Sequence, residues 1–252
     1  MRLTHDWEFN VMGIYNYRKI GTFKPMFDYI AENHDKIAGD IVDVGVYRGV
    51  TTLGLGLFLK EIGSDKKVYG FDSFSGFPPA SNPNDEFERF EEMFSQGKIS
   101  KAYWEAVQYY WKTIGFLKEG KQLDQFTVST SENFANTSKE LLERKIDYLG
   151  LDNIELIEGF FEDTMTDGQA PSKVLAVNLD CDLYDGYVNT FDFIWERLSP
   201  GGYIWLDEYY SLKFPGARIA TDEFLADKAE KPKMYPRNKG EFERWHIIKN
   251  QN

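Results

Sequence analysis

Two short stretches hold most of the chemistry this sequence can offer. Asn178–Gly186 reads NLDCDLYDG and sets Asp180 and Asp182 two apart, directly after the apolar run KVLAV. Further on, GGYIWLDEYY is a second apolar run ending in acid, at Asp207 and Glu208. Carboxylates packed together repel and desolvate badly unless something positive sits among them. Mg²⁺ suits such a place, because it prefers oxygen ligands and keeps several waters. A bound cation stabilises a developing alkoxide, and a further carboxylate can take the proton. Zinc is not indicated: Cys181 is the single cysteine, and His5, His34 and His246 are scattered along the chain. The plainer alternative is that these acids only cap the next helix, a role that Asp185, before GYVNTFDF, fits better than Asp180 does.

A second group of residues has the spacing of a cofactor site. The segment Asp43-Val-Gly45-Val-Tyr47-Arg48-Gly49 follows a β-branched run. A nicotinamide loop would read G-x-G-x-x-G, and the middle glycine is missing here. An acid before the loop repels a pyrophosphate and welcomes an ammonium. The next apolar run ends at Asp72, followed by Ser73, where a carboxylate can accept from both hydroxyls of a ribose. A nucleoside bearing an amino acid and no phosphate is S-adenosylmethionine. In the third segment, GFFEDT, Phe160 and Phe161 can pack on adenine and Glu162 or Asp163 can accept from its amine. The candidate cofactor-binding residues are therefore Asp43, Gly45, Tyr47, Arg48, Gly49, Asp72, Ser73, Phe160, Phe161, Asp163 and Asp180. Competing readings make Gly45 and Gly49 a tight turn, Asp72 a cap and the two phenylalanines core.

These residues need strands to deliver them to one edge. DIVDVGV, KKVYGFD, NIELIEGF, KVLAVNLD and GYIWLDEY read as five buried strands. TTLGLGLFLKEIG, SKELLERKIDYLGL (capped by Thr137 or Ser138, closed by Gly150), TFDFIWERLSPGG (with a Pro–Gly stop) and ARIATDEFLADK read as helices between and after them. EFERWHIIKN reads as a final, antiparallel edge strand. The pattern predicts an α/β, doubly wound, Rossmann-like parallel sheet in one domain spanning 1–252. Residues 1–38 contribute a helix ending near Gly39, expected as an N-terminal lid. Residues from about 80 to 133 break the rhythm with a Pro/Ser/Asn loop and two aromatic helices, FERFEEMF and KAYWEAVQYYWKTIGFL, expected as a cap.

Composition excludes several classes. A net charge of −12 with no concentrated basic patch argues against nucleic acid as a partner. No apolar run of ~18 residues predicts no membrane span, and MRLTHDWEFN lacks the apolar core of a signal peptide. The expectation is a cytoplasmic homo-oligomer, dimer or higher.

DVGVYRGVTT, FDSFSGFP, LIEGFFEDT, NLDCDLYDG and LSPGGYIWLDEYY, in this order, resemble the macrocin O-methyltransferase family. The resemblance runs from about Gly39 to about Phe224, interrupted by the insertion. It implies a class I methyltransferase that uses S-adenosylmethionine and Mg²⁺ on a small-molecule sugar, nucleotide-linked or carried on a natural product. It implies Asp180, Asp207 and Glu208 as metal ligands and Asp182 as general base. Asp182 could equally bind substrate or serve as an outer group, and Tyr184 could touch substrate or pack. The chain departs from the family in having Asp–Glu where Asp–Asp is usual, and Cys181 where glycine is common.

The aromatic faces of Tyr103, Trp104, Tyr109, Tyr110 and Trp111 suit sugar rings, or else form a satellite core or a dimer interface. Arg18, Lys19 or Arg48 could meet a diphosphate. The alternatives are a phenol or catechol methyltransferase of the same fold, a non-catalytic cofactor-binding protein and, least favoured, a nicotinamide oxidoreductase.

Overall fold

A computed structural model describes residues 3–80, 82–169, 171–238 and 240–251. Among these residues seven strands form one sheet: β1 Asp40–Val44, β2 Val68–Asp72, β3 Ile154–Glu158, β4 Val174–Leu179, β5 Leu198–Leu206, β6 Lys233–Met234 and β7 Trp245–Ile248. Their order is β3-β2-β1-β4-β5-β7-β6. β1 pairs in parallel with β2 on one side and β4 on the other, while β7 runs antiparallel to β5. The chain therefore reverses direction across the sheet between β1 and β4. In open α/β sheets that switch point is where ligands bind, beyond the strands' carboxyl ends.

The central strands read as unbroken apolar runs because both faces are covered. On one face lie α2 (Lys24–Asn33) and α3 (Val50–Glu61), with Met26, Phe27, Ile30, Leu53 and Leu55 buried. On the other lie α8 (Tyr184–Ile194) and α9 (Pro215–Phe224), with Tyr187, Phe191, Ala217 and Ala220 buried. α6 (Lys139–Leu149) starts where the sequence placed it, with Ser138 Oγ accepting from the Leu141 N–H at 3.1 Å, and stops at Gly150 in a left-handed turn.

Three expectations differ from what is observed. Residues 3–38 are not a lid. α1 (Asp6–Met12) and α2 pack onto the sheet side, because Phe9, Met26, Phe27 and Ile30 form an apolar stripe with a core to join. The helix expected over 190–202 begins earlier, at Tyr184, and ends at Ile194; Pro200 and Gly201 already belong to β5. A proline at a strand's start leaves no ladder bond missing, so Pro–Gly is not the helix stop. Asp185 sits in the first turn of α8 rather than at its cap, which is Leu183.

The insertion behaves as a small core of its own. α4 (Glu88–Ser95) and α5 (Lys101–Leu117) bury Phe90, Met93, Tyr103, Val107 and Trp111 together with Leu183 and Phe214. Tyr103 stacks on Tyr210 at 4.2 Å and donates to the Ser211 carbonyl at 2.7 Å. Trp111 Nε1 donates to the Leu212 carbonyl at 2.9 Å. The satellite-core reading thus holds for Tyr103 and Trp111, whereas Tyr109 is exposed.

One backbone approach fixes the geometry at the switch point. A Cβ on Gly45 would lie 1.7 Å from the Asp180 carbonyl oxygen, and its φ is +90°. β1 and β4 can turn away from each other this tightly only with glycine there. Gly45→Ala is expected to cost at least ~3 kcal/mol through the clash and the backbone strain together. Urea denaturation of the variant measures it.

Candidate active site

β4 and β5 are parallel neighbours, so the acids that follow them emerge at the same edge. One oxygen each of Asp180, Asp207 and Glu208 lie within 4.8 Å of one another. Asp207 opens the 3₁₀ turn Asp207–Tyr210, which folds Glu208 inward until it is 5% exposed. Trp205 Nε1 donates to Asp207 Oδ1 at 3.0 Å. The Tyr187 hydroxyl lies 3.2 Å from Glu208 Oε2 and accepts the Glu208 N–H at 3.1 Å. Asp182 is 7% exposed, with a φ of +65°. Burial, then Asp207 and Asp182, pushes Asp180 well above the ordinary carboxylate range. Burial does the same to Glu208, reinforced by Asp182, Asp207 and Asp180. Burial also raises Asp182, partly offset by Lys213.

The donor set is all oxygen and convergent, half-buried at Asp180 and Asp207 and buried at Glu208, with no thiolate or imidazole in the group. It fits a hard divalent cation such as Mg²⁺. Lys213 is the protein's own contribution of positive charge. It follows the 3₁₀ turn, its ammonium lies against the Phe134 and Phe214 rings, and the acids raise its pKa against the opposing effect of burial. The sequence reading missed it. A lysine in YYSLKF carries no spacing signal, and only the fold of the turn, tied to α5 through the Ser211 and Leu212 carbonyls, brings it to the acids.

Beside the acids runs a cleft lined by Gly45, Tyr47, Asp72, Ser73, Phe160, Phe161, Asp180 and Asp182. Asp72 is oriented by the main chain: Oδ2 accepts the Tyr47 N–H at 2.7 Å and Oδ1 the Phe74 N–H at 2.6 Å. The carboxylate lines the cleft, within reach of a ligand there. Ser73 donates to the Gly76 carbonyl at 2.7 Å, closing the turn after β2. Tyr47, Phe74, Phe134 and Asp182 all take left-handed φ values between +49° and +65°. Non-glycine residues held that way concentrate at functional sites, where the surroundings over-determine them.

Four of the expected cofactor residues lie elsewhere. The Asp43 carboxylate is fully buried beneath the loop, accepting from Thr52 Oγ1 at 2.6 Å and Asn178 Nδ2 at 2.7 Å. It braces β1 to β4 and α3, and is not among the residues lining the cleft. Gly49 caps α3 where a Cβ would strike Leu142. Arg48 lies over the Tyr47 ring and donates to the Asn136 carbonyl. Asp163 is exposed in the turn of α7 (Phe161–Thr164), while its neighbour Glu162 reaches the cleft. Arg18 and Lys19 pair with Glu61 and Asp6, and none of the described residues before 39 lines the cleft. The α1 and α2 packing carries both cations away from it.

The insertion supplies lining that the sequence reading did not name. Asp85 is 1% exposed, and its Oδ1 accepts the Tyr184 N–H at 2.9 Å. Asn82 donates to Asp185 at 2.8 Å. A Cβ on Gly216 would lie 2.0 Å from Asp85 Oδ1, so this carboxylate is wedged between the first turns of α8 and α9. Burial, followed by repulsion from Asp185 and Asp182, pushes Asp85 up to about 7. The signal available was NPND, an Asn–Pro turn that presents its aspartate inward.

The sequence model of the macrocin-O-methyltransferase family matches residues 2–124 and 121–235. A tetracenomycin relative from Streptomyces olivaceus, 8-demethyl-8-(2,3-dimethoxy-alpha-L-rhamnosyl)-tetracenomycin-C 4'-O-methyltransferase, is 23% identical over 69% of this chain and 54% of that protein. The demethyldecarbamoylnovobiocin O-methyltransferase of Streptomyces niveus is 24% identical over 88% of this chain and 70% of its own length. The chain thus spans about half the length of the first relative. The solved structure of the O-methyltransferase NovP superposes with a TM-score of 0.61 at 18% identity, over 89% of this chain and 79% of that one. That likeness is one of fold.

Asp43 makes a stability prediction. Burial, against hydrogen bonds from Thr52 and Asn178, raises its pKa from 3.8 to about 6. The folded chain then holds a proton that the unfolded chain has released between about pH 4 and pH 6. This contribution to stability is full below the unfolded pKa and is lost as pH rises through the folded one. Asp43→Asn is expected to melt a few degrees above the parent at pH 8 and to lose that advantage by pH 4. Thermal unfolding at a series of pH values measures it.

Proposed function

This chain belongs to the macrocin O-methyltransferase family, and from that premise and the site geometry we propose that it transfers a methyl group from S-adenosylmethionine to a sugar hydroxyl with the help of Mg²⁺. One observation carries the reading: three carboxylate oxygens within 4.8 Å adjoin a cleft that shares Asp180 with them. A rhamnosyl-bearing substrate in the name of one relative supports a sugar as the acceptor.

Methyl transfer from a sulfonium is an in-line displacement, and a protonated sugar hydroxyl is a poor nucleophile. When bound, S-adenosylmethionine supplies the methyl group, and Mg²⁺ supplies the charge that eases deprotonation of the acceptor. Asp180, Asp207 and Glu208 would hold the metal. Asp72, with its two backbone donors already in place, accepts from the ribose hydroxyls. Gly45, without a side chain, lets the β1 turn close onto the Asp180 backbone and so sets the floor of the cleft that takes the cofactor. Asp182, lining the cleft beside Asp180, takes the proton from the acceptor oxygen. Phe77, Pro78, Ala80, Asn82 and Asp85 line the same cleft and would keep water from the reacting groups.

The roles separate by mutation. Asp180→Ala and Asp207→Ala are expected to lower kcat by ~10³-fold or more while changing cofactor affinity only a few fold. Asp72→Ala is expected to weaken cofactor binding ~10–100-fold, about the worth of one hydrogen bond to a charged group. Calorimetry with S-adenosylmethionine and a methylation screen over nucleotide sugars and glycosylated natural products, with and without EDTA, test both. Methylation that survives EDTA would sink the metal role, and loss of cofactor binding in both metal-ligand variants would sink the division of labour.

A further inference from the structure

The glutamate at position 208 has one buried partner that holds both its main chain and its side chain. Tyr187, on α8, is fully buried and packs against Phe191. Its hydroxyl oxygen lies 3.1 Å from the Leu179 carbonyl, 3.2 Å from Glu208 Oε2 and 3.1 Å from the Glu208 N–H. The N–H of Glu208 donates to that oxygen, so the single phenolic hydrogen must choose between two acceptors. A carboxylate is the stronger acceptor of the two. Main chain and side chain of Glu208 are thus both referenced to one rigid, buried oxygen. Glu208 Oε1 has no hydrogen-bond partner among the described residues.

We propose that Tyr187 is a positioning residue that ties up one oxygen of Glu208 and thereby makes the carboxylate group select Mg²⁺ over Ca²⁺. The inference rests on the Mg²⁺ reading given above. Ca²⁺ favours six to eight oxygens and takes carboxylates through both oxygens, whereas Mg²⁺ demands a small octahedron. A glutamate with one oxygen tethered to a tyrosine is suited to the second and poorly suited to the first. Partners behind a ligand of this kind typically govern metal affinity ~10–100-fold.

The test uses the full chain, with Mg²⁺ and Ca²⁺ as the probes, each displacing Mn²⁺ followed by electron paramagnetic resonance. Tyr187→Phe is expected to weaken Mg²⁺ ~10-fold and Ca²⁺ far less, so the preference for Mg²⁺ shrinks. Glu208→Asp, one methylene short of the tyrosine, should give the same narrowing with α8 undisturbed, and carries the test if Tyr187→Phe does not fold. An unchanged Mg²⁺/Ca²⁺ ratio in Glu208→Asp and in folded Tyr187→Phe, with the parent binding Mg²⁺, overturns this inference alone. A parent chain that binds no Mg²⁺ overturns it together with the metal reading on which it stands.

Discussion

Four carboxylates share one end of the sheet, and their mutual repulsion is the constraint around which the rest is arranged. Asp180, Asp182, Asp207 and Glu208 would each be easier to place apart. Parallel pairing of β4 with β5 brings their ends together regardless. The surroundings answer with donors and charge: Trp205 on Asp207, Tyr187 on Glu208, and the Lys213 ammonium facing the group. Burial first, and then the repulsion left uncompensated, raise the pKa values of Asp180 and Glu208, an electrostatic demand that a divalent cation would meet.

The insertion matters through what it holds rather than through aromatic faces offered to a sugar. α5 fixes the loop after the acid pair by hydrogen bonds from Tyr103 and Trp111 to the carbonyls of Ser211 and Leu212. That loop carries Lys213. The turn before α4 sends Asp85 and Asn82 onto the first turn of α8, which follows Asp182 directly. Cap and acid group are therefore coupled by packing.

The cleft beside the acids is built the same way. Its floor is made by backbone: the Gly45 approach to Asp180 and the two N–H groups on Asp72. Asp43, the first acid of the loop, works underneath it. Its hydrogen bonds to Thr52 and Asn178 join β1, α3 and β4, the three elements that must agree for the loop to stand.

The sequence by itself determined the class of fold, the five core strands with the antiparallel β7, and the residues that meet at the strand ends. Those follow from local rules: apolar runs bounded by turns make buried strands, and a parallel sheet must deliver all its carboxyl ends to one edge. Asp180, Asp207 and Glu208 could be grouped before any coordinates existed for that reason. Other features depended on packing between segments far apart in the chain. These include the burial of Asp43 under its own loop, the N-terminal helices on the sheet face instead of over the cleft, and the early start of α8. They also include the arrival of Lys213, Asp85 and Tyr187. A periodic pattern says which face of a helix is apolar, but not which surface it will cover. A lone lysine, aspartate or tyrosine carries no period at all. Only the tertiary structure decides its partner, because that partner's distance is set by how several elements pack at once.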